Sequence, residues 1–127
     1  MALTARTAAI VLGVILILVG ILGFIPNPLV SADGLFMVNT AHNLVHIVTG
    51  VVLVGGAYSG VGGAMVLKVV GVVYVLIAIL GFVMTGDMLL GFIMNNMADR
   101  WLHVVLAIVF LVAGFALPAG EDRRAMM

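Results

Sequence analysis

The chain contains no cysteine, three prolines, one tryptophan, and only five basic and five acidic residues in 127. Without cysteine there is no disulfide, no thiolate metal site and no thiol nucleophile. The charges cancel, so there is no basic field to hold a nucleic acid. Charged residues make up 8% of the chain, against about 25% in a soluble domain. Such a surface cannot face water all round. No Ser-His-Asp order, paired carboxylates, phosphate loop or dinucleotide fingerprint is present. An enzyme is therefore not expected, although a membrane metalloenzyme is compatible with the same residues.

What is there is apolar, 65% of the chain. Four runs approach the roughly 20 residues needed to cross a bilayer. They cover residues 7–25, 36–57, 65–84 and 98–117, and Pro26-Asn27-Pro28, a glycine-rich stretch at 58–63, Thr85-Gly86-Asp87 and Pro118 close them in turn. The runs are continuous rather than alternating, and open strands cannot span lipid, so they predict helices. Short connections make consecutive helices antiparallel neighbours. The expected fold is all-α: an integral membrane four-helix bundle, a single domain over residues 1–127 built from two tandem helical hairpins. The partner this implies is the lipid bilayer, and two hairpins burying little of each helix suit a homo-oligomer or a larger membrane complex.

Arg6 before the first run and Val30-Ser31-Ala32 after it resemble a signal peptide. The run exceeds the about 7–15 residues of a signal core, which predicts a retained helix. With four spans, Arg6, Lys68, Arg123 and Arg124 share one side, and Arg100 lies on the other with Asp33, Asp87 and Asp99. The positive-inside rule then puts both termini in the cytoplasm.

The two halves, about 7–57 and 65–117, read as copies. Val11-Leu12-Gly13-Val14 matches Val69-Val70-Gly71-Val72, and Ile21-Leu22-Gly23-Phe24 matches Ile79-Leu80-Gly81-Phe82. Downstream, Gly34, Met37, Asn39, Ala41 and His46 match Gly91, Met94, Asn96, Ala98 and His103. An even number of helices per copy gives both copies one orientation, related by an axis along the membrane normal. The second and fourth helices then run parallel and start at one depth.

All three histidines lie at those helix starts. Residues 39, 42 and 46 are spaced by three and four, as are 96, 99 and 103, so each set falls within a sector of roughly 60° on a helix. Polar groups at membrane depth are costly and turn toward the bundle interior. Asn39, His42, His46, Asn96, Asp99 and His103 are therefore expected to converge. His42, His46, Asp99 and His103 are the candidate metal ligands. Three imidazoles and a carboxylate suit zinc, iron or copper. Asn39 and Asn96 are candidates either to orient ring N–H groups or to cap the helices. Three other readings use the same residues: a polar lock in a structural or accessory subunit, haem b held axially by histidines of helices two and four, and proton handling by His42 or His103.

Met37, Met84, Met88, Met94 and Met97 gather toward the same side, where thioethers suit Cu(I) or merely fill space. Trp101 and Tyr58 read as interfacial anchors, and Asp33 and Asp87 as solvated loop residues.

His42-Asn43-Leu44-Val45-His46 and the Asn96-x-Ala98-Asp99-x-Trp101-Leu102-His103 stretch, with Gly23-Phe24-Ile25-Pro26 at the end of the first run, resemble the motifs of an uncharacterised family of small four-helix bacterial membrane proteins. The resemblance covers most of the chain. It implies a bacterial inner (plasma) membrane location and supplies no substrate. Members often have a longer loop between the first two helices than this chain has.

Overall fold

The computed structural model describes residues 3–120. Arg123 and Arg124 of the basic count lie outside them. The helices are α1 (Ala5–Leu22), α2 (Thr40–Tyr58), α3 (Gly63–Val83) and α4 (Met97–Ala116). All four are long and apolar enough to cross a membrane. At about 1.5 Å per residue they match a hydrocarbon core about 30 Å thick. α1 packs along α2 and α3 along α4, with α3 also touching both α1 and α2.

The packing is inverted relative to a water-soluble protein. Small residues face inward: Ala5, Ala8, Ala9, Gly13 and Gly20 on α1, and Gly50 and Ala57 on α2. Large apolar side chains such as Leu18, Val48, Val83 and Phe115 face outward. Small residues let helices approach closely where lipid competes for every apolar surface. Gly13 and Gly50 face each other where α1 packs on α2. A Cβ on Gly13 would stand 2.7 Å from the Gly50 carbonyl oxygen, and one on Gly50 would collide with the Gly13 carbonyl oxygen. This is a membrane protein.

Three helix starts are written locally. Thr4, Asn39 and Asn96 accept the backbone N–H of Thr7, His42 and Asp99. The second helix therefore starts at Thr40 and not at residue 36, where the apolar run began. Phe36–Met37 instead pairs in parallel with Val30–Ser31, as strands β2 and β1. The first helix stops three residues short of the run, because Asn27 Nδ2 donates to the carbonyls of Leu22, Ile25 and Val30 and turns the chain. Between α3 and α4, β3 (Met88–Leu89) and β4 (Ile93–Met94) form an antiparallel hairpin. Neither small sheet was expected from the sequence. At the other end, the backbone N–H groups of Ala5 and Arg6 donate to the carbonyls of Pro118 and Ala119, at 2.7 and 3.1 Å, so α1 begins beside the exit of α4.

Candidate metal centre

His42 and His46 lie on the first and second turns of α2, and His103 lies on the second turn of α4. All three are buried. The asparagine caps fix the first turns of both helices, which sets the height of all three rings. One ligand nitrogen from each ring lies within 4.8 Å of the other two. The Nε2 atoms of His42 and His46 stand 3.1 Å apart. Ring centroids are 4.4 Å apart for His42–His46, 5.3 Å for His42–His103 and 6.4 Å for His46–His103. The expected meeting of histidines from helices two and four is what the fold produces.

Hydrogen bonding around the rings is uneven. His42 Nδ1 stands 2.5 Å from the Met94 carbonyl oxygen. A carbonyl only accepts, so this nitrogen carries the proton and leaves His42 Nε2 as a lone pair. The Nδ1 atoms of His46 and His103 are buried without a hydrogen-bond partner. Tyr74 of α3 stands edge-on to His103 at 5.8 Å and to Phe110 at 5.1 Å. Its hydroxyl donates to Thr49 Oγ1 at 3.1 Å.

Asp99 lies outside the imidazole group. Its carboxylate accepts the Asn96 backbone N–H at 2.9 Å while Asn96 Oδ1 accepts the Asp99 N–H at 3.0 Å. This reciprocal arrangement satisfies two of the free N–H groups at the start of α4. Asn39 and Asn96 touch no histidine ring through their side chains. Beyond capping, Asn39 Nδ2 donates to the Phe92 carbonyl and Asn96 Nδ2 to the Leu35 carbonyl. It is the Met94 main chain, on β4, that orients His42. Trp101 is exposed beside Phe82, and Tyr58 is exposed beneath the Arg6 guanidinium. Asp87 is exposed, 3.5 Å from Arg100, whose guanidinium also donates to the Gly86 carbonyl.

Sequence reasoning missed Tyr74 and Thr49. The signal was faint: Tyr74 and Lys68 carry the only polar side chains of α3. It also missed Asn43 and Asn95, buried with their Oδ1 atoms unpaired.

A family of proteins described as Domain of unknown function (DUF4383) matches residues 6–116. The chain belongs to the DUF4383 family. No curated protein and no solved structure matches the chain. The match spans all four DUF4383 helices up to the last residue of α4 and contains both histidine stretches.

Proposed function

We propose that this DUF4383 protein holds one transition-metal ion in the membrane through His42, His46 and His103. The observation that carries the reading is the convergence of three imidazoles from two helices, with a ligand nitrogen of each within 4.8 Å of the others. Two nitrogens bound at about 2.0–2.1 Å to one tetrahedral ion lie about 3.3–3.4 Å apart. The 3.1 Å between the Nε2 atoms of His42 and His46 is close to that spacing. The bond from His42 Nδ1 to a backbone carbonyl is the kind of outer contact that fixes a ligating imidazole. Imidazole suits zinc, copper and iron. The buried carboxylate of Asp99, one turn before His103, partly offsets the ion's charge. Three protein ligands leave a fourth position for water or a small ligand.

A structural reading has its own support. His42 and both asparagine caps already tie one half of the chain to the loop of the other. That lock needs no metal, but it leaves the Nδ1 atoms of His46 and His103 buried and unpaired, at a cost of about 1–3 kcal/mol each. Haem b is the weaker alternative: the three rings crowd against one another, and a porphyrin needs a slot between its axial ligands.

The reading extends to placement. The two halves are a duplicated hairpin, the membrane is the bacterial inner membrane, and both termini are cytoplasmic with Arg6 and Lys68. The imidazoles then lie under the outer leaflet surface. Elemental analysis of the purified protein tests the site. About one equivalent of zinc, copper or iron is expected, with its loss in His46→Ala. Sub-stoichiometric metal in both, after supplementation with each ion, rejects it. A Soret band in the purified protein would favour haem instead.

A further inference from the structure

The three imidazoles are neutral donors, and no fourth imidazole or carboxylate among the described residues joins them. An ion held by them alone keeps its whole charge. The surroundings screen it little, because all three rings are buried. The space beside His42 and His103 is a cavity of about 140 Å³, lined otherwise by Tyr74 and aliphatic side chains such as Ile77 and Leu80. The Tyr74 hydroxyl is committed to Thr49. An apolar cavity of this size stays dry, so that side supplies no water for a fourth position.

Charge then separates the candidate ions. The cost of burying an ion grows with the square of its charge, so a divalent ion costs about four times as much as a monovalent one of similar size. Zinc is divalent and completes a tetrahedron. Cu(I) carries half that charge and accepts three donors. Asp99 is the only carboxylate buried among the described residues. It lies one turn before His103, and residues four apart share a helix face. Its Oδ2 caps the helix, and no cation pairs with it: Arg100, next in the chain, turns to Asp87 and the Gly86 carbonyl. One negative charge balances a monovalent ion and only half of a divalent one.

Soft donors stand at the same end of the bundle. Met88 and Met94 are cross-strand partners in the β3–β4 hairpin, so their side chains share one face of it. Leu89 and Ile93, on the other face, are buried. Met94 is also the residue whose carbonyl holds His42. The element that fixes the first imidazole thus carries two thioethers, the class of donor that selects Cu(I).

We propose that the ion of this centre is monovalent copper, Cu(I), whose charge the lone buried carboxylate of Asp99 balances. The assignment rests on the three-imidazole reading and narrows it to one ion and one oxidation state.

The test loads the full chain in lipid nanodiscs with equimolar Cu(I) under anaerobic conditions, followed by desalting and elemental analysis. Stoichiometric copper should be retained and should survive Zn(II) in about tenfold excess. It should stay silent in electron paramagnetic resonance after exposure to air, since Cu(I) has a filled d shell. Asp99→Asn keeps an oxygen for the cap and removes the charge. Its affinity for Cu(I), measured against bathocuproine disulfonate, should fall about tenfold or more with helix content unchanged. Displacement of copper by zinc, a stoichiometric Cu(II) signal in air, or equal Cu(I) affinity in Asp99→Asn overturns the assignment. Zinc then held by the wild type and lost in His46→Ala leaves the three-imidazole centre standing. Retention of neither ion removes the centre and this assignment with it.

Discussion

Asn39 and Asn96 do the same work from opposite halves of the chain. Each caps its own helix through Oδ1, and each donates its Nδ2–H to a carbonyl in the other half's loop, Phe92 for Asn39 and Leu35 for Asn96. The two asparagines are 57 positions apart, and so are the two carbonyls. Replacing either by alanine removes a cap worth about 0.5–2 kcal/mol and a bond between the halves worth about 1 kcal/mol. Both single variants should lose about 1–3 kcal/mol in detergent unfolding followed by circular dichroism. Asp at either position keeps the cap and loses the donor, so it should fall between alanine and wild type. Equal stability of Asn96→Asp and Asn96→Ala would refute the capping role.

The Gly13–Gly50 crossing sets how closely α1 and α2 approach. Either glycine replaced by leucine drives a side chain into the partner's backbone, where nothing can move aside. Overpacking of this kind costs about 1–3 kcal/mol. Unfolding in mild denaturant should show Gly50→Leu weakened by at least that much. Gly55→Leu should be nearly neutral, because nothing lies within 4 Å of a Cβ there.

Tyr74 links α3 to α2 through Thr49 and backs His103 with its ring. Tyr74→Phe keeps the ring and loses one buried hydrogen bond, so a loss of about 1 kcal/mol is expected, with metal content unchanged. Tyr74→Ala also removes the support behind His103 and should lower metal affinity. Equal metal binding by the Phe and Ala variants would show that the ring does not position the imidazole.

His46 has no bond to the loops, and its ring meets only other histidines within the polar cluster. His46→Ala should therefore abolish stoichiometric metal while the helices still form. His42→Ala also breaks the contact with the Met94 carbonyl, and it should lose both metal and about 1–2 kcal/mol of stability. An unfolding midpoint equal in the two variants would remove the distinction drawn between them.

The helices were legible because lipid demands long uninterrupted apolar runs, and few other structures supply them. Their ends were less so. The apolar run at residues 36–39 continues into α2, but Asn39 marks the start, and only the cap geometry separates strand from helix there. The histidine trio was legible from three-and-four spacing. The assignment of Asp99 as a ligand came from the same spacing, yet an acid three residues after Asn96 also completes a reciprocal cap. That local bond engages the carboxylate. Tyr74 was hidden because α3 is apolar on its lipid face and its inner face alike, so no periodicity marks the side that carries it. The Met94 contact of His42 and the bond from Asn39 to the Phe92 carbonyl join segments more than 50 residues apart, beyond the reach of local pattern.

The most direct test of the central claim is the X-ray absorption spectrum of the metal-loaded protein. The arrangement predicts three imidazole ligands at about 2.0–2.1 Å for zinc, falling to two in His103→Ala if that variant still retains the ion. A spectrum fitted by one imidazole or none, or one unchanged by His103→Ala, would contradict a centre shared between α2 and α4.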